Sequence, residues 1–203
     1  QRDDWRNIIK SIHGEGNETR ITYNNNKKPL TITDPLGNIT RMEYDAYGNL
    51  IKLTQAEGKP EQTATSYIYD NYNQISSAST GNATRTITYN SSGLPVTIAD
   101  PLGNTTTIQY DSYGNATAVI DPSNNKTEFT YDINGNRLTA KDPLGNITTY
   151  TYNAADRPTT IKDALNRITG IGTDFNGRIT AITDALNNKK EYQYDGNGNL
   201  TKA

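Results

Sequence analysis

Acidic, amide and hydroxyl side chains recur throughout this 203-residue chain, and a few groupings have the look of reactive or ligand-binding sites. Asp132-Ile133-Asn134-Gly135-Asn136 has the oxygen spacing that opens a calcium loop. An EF-hand loop continues to a bidentate Glu at its twelfth position, and counting from Asp132 that position is Pro143. Hairpin-turn chemistry accounts for the same residues without a metal, because Asp bonds its own backbone two residues on and Gly takes a positive φ. His13 is the only histidine. A histidine base needs a nucleophile in reach and a carboxylate to orient it. The chain has no Cys, and no Ser stands apart from a repeating pattern, so His13 reads as filler in a turn. Carboxylate pairs would suit glycoside hydrolysis if two were singled out in a cleft. Here the carboxylates recur periodically, as structural positions do. No catalytic, metal or cofactor-binding residue is expected, and the chain reads as a non-enzyme.

Tyrosine carries the remaining chemical interest. There are 14 Tyr against 2 Phe, 1 Trp and 1 Met. Exposed aromatic rings stack on sugar faces, and neighbouring Asn, Asp and Thr supply hydrogen bonds, which would make a glycan-binding, adhesin-like surface. Rings packing on one another across strands explain the same ladder, and that explanation is preferred because the ladder repeats regardless of any one site. Asn-x-Thr/Ser triplets begin at Asn17, Asn38, Asn82, Asn90, Asn104, Asn115, Asn125 and Asn146. They are expected to be unmodified, since they follow from the repeat itself.

The elements that position these residues come from that repeat. A Tyr-(Asp/Asn) anchor occurs at Tyr23, Tyr44, Tyr69, Tyr89, Tyr110, Tyr131, Tyr152 and Tyr194, with Thr173-Asp174 as a degenerate copy. Successive spacings are 21, 25, 20, 21, 21, 21, 21 and 21 residues. The long step carries an insertion at Glu57-Gly58-Lys59-Pro60-Glu61-Gln62, and the short one loses a residue near Thr80-Gly81-Asn82. Each repeat holds two turn signals. One follows the anchor: Asp45 to Gly48, Asp111 to Gly114, Asp132 to Gly135 and Asp195 to Gly198; Asp70 belongs to the anchor pair Tyr69-Asp70. The other is Asp-Pro-Leu-Gly-Asn, at Asp34, Asp100 and Asp142, with Asp163-Ala164-Leu165-Asn166 and Asp184-Ala185-Leu186-Asn187 as variants. Between turns, apolar and polar residues alternate with period two, as in Tyr150 and Tyr152 around Thr151. The spacing leaves strands of roughly five or six residues.

The expected fold is therefore all-β: tandem 21-residue β-hairpin repeats forming a curled or spiral antiparallel sheet. About 19 strands are expected, and an open sheet rarely exceeds about ten without curling. Residues 1–203 read as a single array of about nine repeats, cut from a longer one. A single repeat should not fold alone, since ordering its 21 residues at roughly 1–2 kcal/mol each outweighs the roughly 4–6 kcal/mol gross that a buried tyrosine returns. A hydrophobic share of 33% with net charge −2 argues against a conventional aliphatic core, and the regular Tyr, Thr and Ile argue against disorder. Near-neutral charge gives no electrostatic reason to bind nucleic acid, and no apolar run approaches a membrane span of roughly 18 residues.

Tyr-Asp-x-x-Gly-Asn/Arg-Leu, followed by Asp-Pro-Leu-Gly-Asn and Thr-x-Tyr-x-Tyr, resembles the YD repeat of Rhs proteins, of the BC components of Tc toxins and of teneurins. The resemblance covers essentially the whole chain. It implies a β-spiral shell, secreted or at the bacterial cell surface, that encloses or displays a C-terminal toxin. Its partners would be the remaining repeats of the parent protein and that enclosed toxin. The chain has no Rhs core motif, no self-cleaving aspartyl protease segment and no variable toxin domain, so autoproteolysis and toxicity do not carry over. The anchor Tyr and Asp residues and the turn glycines Gly48, Gly114, Gly135 and Gly198 then read as structural positions.

Overall fold

A computed structural model describes residues 1–12 and 14–203; the reading of His13 as turn filler lies outside them. The chain divides into two compact units, Gln1–Thr105 and Thr106–Ala203.

The first unit is a run of antiparallel strands: β1 (Lys10–Ile12), β2 (Glu18–Tyr23), β3 (Pro29–Thr33), β4 (Ile39–Tyr44), β5 (Leu50–Gln55), β6 (Thr63–Tyr69), β7 (Ile75–Thr80), β8 (Ala83–Tyr89) and β9 (Pro95–Ala99). Each pairs with the strand next to it in sequence. A short 3-10 turn, Gly14–Gly16, precedes β2. The second unit repeats the pattern with β10 (Thr105–Tyr110), β11 (Ala116–Ile120), β12 (Lys126–Tyr131), β13 (Arg137–Lys141), β14 (Ile147–Tyr152), β15 (Pro158–Lys162), β16 (Ile168–Thr173), β17 (Ile179–Thr183) and β18 (Lys189–Glu191). These also pair in sequence order. A last hairpin, β19 (Gln193–Tyr194) with β20 (Leu200–Lys202), forms its own ladder. It is set off from β18 by Tyr192, whose N–H donates to the Thr180 carbonyl at 2.9 Å. The described strands thus number 20, one more than the repeat arithmetic suggests.

Strand formation follows from the alternation. In the β4–β5 pair, Met42 lies opposite Leu53 and Glu43 opposite Lys52. One face of the sheet therefore collects Ile, Leu and Tyr, and the other collects Thr, Ser, Lys and Glu. The polar face is stitched by hydroxyl pairs, Thr22 with Thr31 at 2.6 Å, Thr88 with Thr97 at 2.6 Å and Thr130 with Thr139 at 2.7 Å. Contacts run chiefly between neighbouring strands. Burial is correspondingly shallow, and among the described residues only Met42, Thr54 and Ala118 are buried. Stability rests on ladders and half-covered rings rather than on a sealed interior.

Both length irregularities sit at turns. The short step is a two-residue loop, Gly81 and Asn82, closed by Thr80 opposite Ala83, with Gly81 at φ 58°. The insertion folds back on the preceding turn: Glu57 pairs with Arg41 at 2.5 Å, its N–H donates to the Ile39 carbonyl at 3.0 Å, and the Lys59 ammonium reaches the Asn38 side chain.

Candidate functional site

The recurrent site is the junction between one repeat and the next, and it is built from the turn outward. At Asp111 the carboxylate accepts the N–H of Tyr113 at 2.9 Å, the N–H of Asn115 at 2.9 Å and the Asn115 amide at 3.0 Å. The Gly114 N–H donates to the Asp111 carbonyl at 3.2 Å, and the Asp111 N–H to the Asn115 carbonyl at 3.0 Å. This is a type I turn followed by a left-handed residue, the three-residue hairpin loop with a bulge. Asp132 and Asp195 are bonded in the same way. Asp45 accepts from Asn49, through both its N–H at 2.8 Å and its amide at 3.0 Å. Asp70 accepts the N–H groups of Tyr72 and Gln74 at 2.8 and 2.9 Å.

The two turn signals that look different in sequence prove to be one loop. Asp34, Asp100 and Asp142 hold Asn38, Asn104 and Asn146 as the anchor aspartates hold theirs. The fourth position is left-handed in both: Gly48, Gly114, Gly135 and Gly198 lie at φ 86°, 88°, 85° and 88°, and Gly103 and Gly145 at 84° and 87°. Where Gly is missing, Lys27, Asn73, Asn124, Asp156, Asn166 and Asn187 take the same conformation, at φ between 56° and 64°. Asn134, which the calcium-loop spacing singles out, donates its side-chain amide to Asp156 at 2.9 Å.

The turns opened by Asp111, Asp132, Asp142 and Asp195 donate hydrogen bonds into the carboxylate, which favours the ionised form. The Asn115 amide and backbone N–H groups hold Asp111 below the usual carboxylate range, and the Asn136, Asn146 and Asn199 amides do the same for Asp132, Asp142 and Asp195. Desolvation opposes the shift at each and is outweighed.

The anchor tyrosines reach backwards. The Tyr44 hydroxyl donates to the Pro29 carbonyl at 2.9 Å, 15 residues back. Tyr23 bonds Ile8, Tyr131 bonds Ala116, Tyr152 bonds Arg137 and Tyr194 bonds Ile179, all at the same offset and at 2.9–3.0 Å. Tyr69 reaches Leu50 and Tyr89 reaches Ile75, with offsets of 19 and 14 that absorb the insertion and the deletion. Apart from Ile8, which forms an isolated bridge with Arg2, the accepting residue opens a strand; Pro29, for example, lies opposite Tyr23, the anchor of the preceding repeat. Tyr110 closes β10 opposite Ala116. Every anchor, Thr173 included, sits where the register shifts by a bulge.

A second set of side chains reaches forwards. The residue four after the anchor Asp or Asn bonds the next such turn: Lys28 to the Gly48 carbonyl, Gln74 to the Gly93 carbonyl at 2.8 Å and Asn136 to the Asp156 carboxylate at 2.7 Å. Arg157 bonds the Asp174 and Phe175 carbonyls, and Arg178 the Asp195 carbonyl at 3.2 Å. The Arg178 guanidinium also lies 4.8 Å from the centre of the Tyr194 ring. The carbonyl partner of the tyrosine and this forward reach were both missed in sequence. Constant spacing was the only signal for the first, and the Lys28, Arg157 and Arg178 series was the signal for the second.

A family model described as Teneurin YD-shell matches residues 6–129, more than half of the chain. The chain belongs to the teneurin YD-shell family. The model of the RHS Repeat matches residues 131–168 and 176–203, and the interval between holds Thr173, the anchor without a ring. Solved structures carry the YD-shell fold over nearly the full length. The crystal structure of TcdB2-TccC3-TEV is similar with a TM-score of 0.79 and 14% identity, covering 97% of this chain and 12% of that one. The crystal structure of TcdB2-TccC3-Cdc42 gives 0.78 and 14%, covering 96% and 12%. A Photorhabdus luminescens Tc holotoxin pore gives 0.61 and 16%, covering 91% and 13%. The chain thus spans about an eighth of the length of the Tc chains it matches. No curated protein sequence matches it. As a YD-shell segment it is a structural shell repeat.

Proposed function

We propose that this YD-shell segment is a non-enzymatic piece of wall, one array of about nine repeats from a longer protein. Together with the remaining repeats of that parent it encloses or displays a C-terminal toxin or other polypeptide, and it works outside the cell or at its surface. The observation that carries this reading is the junction: the hydroxyls of Tyr23, Tyr44, Tyr69, Tyr89, Tyr131, Tyr152 and Tyr194 each reach a backbone carbonyl 14 to 19 residues back. Such a junction lets a sheet grow by repetition without a central core, which is what a wall requires. In this role Tyr23, Tyr44, Tyr69, Tyr89, Tyr110, Tyr131, Tyr152 and Tyr194 tie repeats together. Asp45, Asp70, Asp111, Asp132 and Asp195, with Gly48, Gly114, Gly135 and Gly198, fold the loops between strands. Limited proteolysis and electron microscopy of the full-length parent test it. A protected C-terminal polypeptide inside a hollow particle is expected, whereas a rod with no lumen and a freely cut C-terminal region would overturn it.

A second reading, glycan binding, is favoured by the exposure of Tyr47, Tyr72 and Tyr113 at turn tips, where the rings are 76–85% open to solvent. Binding on a glycan array that Tyr-to-Ala changes at these three positions abolish would support it, and silence across the array removes it.

A further inference from the structure

Three Asn-Gly pairs occur in the chain: Asn134-Gly135, Asn176-Gly177 and Asn197-Gly198. Each fills the third and fourth places of one loop, opened by Asp132, Asp174 and Asp195 respectively. The pair is a reactive setting for an asparagine side chain, because glycine has no Cβ to hinder attack by its own nitrogen. All three asparagines are exposed. Their glycines share one backbone state, at φ 85°, 86° and 88°, and each Gly N–H donates to the loop-opening carbonyl, at 3.1, 3.0 and 3.1 Å. Backbone geometry does not distinguish the three.

Their surroundings do. Asn134 is held: its side-chain amide donates to the Asp156 carboxylate at 2.9 Å, which also accepts the Asn136 amide at 2.7 Å. Among the described residues no group holds the side-chain amide of Asn176 or of Asn197. The charge beside the pair differs as well. The Arg157 guanidinium lies 3.3 Å from the point where a side chain on Gly177 would start, and that of Arg178 lies 3.8 Å from the same point on Gly198. The corresponding point on Gly135 faces the neutral Asn115 side-chain oxygen at 3.5 Å. Arg157 is fixed in place by the Asp174 and Phe175 carbonyls, and Arg178 by the Asp195 carbonyl.

Attack passes through an anion. The glycine nitrogen gives up its proton to hydroxide and bonds to the asparagine Cγ, closing a five-membered succinimide. The side-chain nitrogen takes up a proton from water and leaves as ammonia. A further water then opens one of the two ring carbonyls, leaving aspartate or isoaspartate with no change of oxidation state. Two unit charges about 4 Å apart alter a rate by about fivefold even at the dielectric constant of water. A guanidinium beside the glycine therefore favours the anion, whereas a carboxylate on the asparagine amide opposes it. We propose that Asn176 and Asn197 are sites of spontaneous deamidation, and that Asp156 shields Asn134 from the same reaction. Isoaspartate adds a main-chain carbon between the third and fourth loop positions. The bond from the Asn197 N–H to the Asp195 carboxylate, at 2.9 Å, and that from the Gly198 N–H to the Asp195 carbonyl then no longer close together. At Asn176 the change falls in the repeat anchored by Thr173, the anchor without a ring. This goes beyond the wall reading and is independent of it, since the modification is read on the chain itself.

Peptide mapping of the folded 203-residue chain during incubation in warm, mildly alkaline buffer tests the proposal, with aspartyl and isoaspartyl products counted at each site. Asn176 and Asn197 are expected to convert about three- to tenfold faster than Asn134, the rate equivalent of one net hydrogen bond. In denaturant the three rates should converge. Asp156→Gly removes the carboxylate and installs the glycine that most anchor loops carry at that place, so it should bring Asn134 up to the rate of Asn176. Arg157→Gln, which matches Gln74 at the same place in another repeat, should slow Asn176 by about fivefold and leave Asn197 unchanged. Equal rates at the three sites of the folded chain overturn the proposal, as does an absence of conversion. A difference that persists in denaturant, or that ignores both variants, overturns it too.

Discussion

A hydroxyl that reaches a carbonyl in the previous repeat satisfies a strand-opening group and ties two hairpins together at once. Removing it isolates that contribution. Tyr131→Phe should lower stability by about 0.5–1.5 kcal/mol, the usual net worth of one hydrogen bond, while Tyr113→Phe at an exposed turn tip should leave it unchanged. Thermal unfolding of both variants checks this. Thr173 supplies the reverse test, since its side chain is too short to reach the Pro158 carbonyl, 15 residues back. Thr173→Tyr is expected to raise stability by about 1 kcal/mol, again read by unfolding. Backbone conformation offers a third test: Lys27 sits at φ 62°, where a side chain crowds the following carbonyl. Lys27→Gly should gain up to about 1 kcal/mol, because left-handed backbone costs a non-glycine residue roughly 1–2 kcal/mol and glycine returns part of that in chain entropy.

At the scale of the element, the loops make the array sensitive to acid. The Asn amides and the backbone N–H groups lower the folded-state pKa of Asp100, Asp111, Asp132, Asp142 and Asp195. A carboxylate whose pKa is depressed on folding contributes stability that is fully present above its unfolded value, about 3.9, and is lost as pH falls through the folded value. Stability should hold level from neutral pH to about pH 5 and then decline, with no comparable loss on the alkaline side from these groups. Asp142→Asn should flatten part of that decline, measured as denaturant midpoint against pH. Asn90 and Asn153 already serve as turn openers without a titrating group, which shows that the exchange keeps the loop. Most of this element was legible in the sequence: the Asp, the Gly and the period-two strands each announce themselves by local chemistry. That the anchor turn and the Asp-Pro-Leu-Gly-Asn turn are one loop was not, because Pro, Tyr, Ser and Ile at the middle positions obscure a geometry fixed by positions one, four and five.

For the molecule as a whole, strands that contact chiefly their neighbours make stability a sum of repeat and junction contributions. Chains shortened at repeat boundaries should lose stability in steps, and an excised single hairpin covering residues 131–152 should give a coil-like circular-dichroism spectrum. A single hairpin that folds unaided would contradict the account. The 21-residue period, the hairpins, the turn residues and the alternation of faces follow from the sequence by itself, because each depends on propensities and spacings that act within a few residues. The carbonyl that each tyrosine finds, the forward reach of Lys28, Arg157 and Arg178, and the surroundings that set Asn134 apart from Asn176 and Asn197 were decided only in three dimensions. Those features depend on strand register and on the bulge at every anchor, which place atoms far apart along the chain within one hydrogen bond of each other.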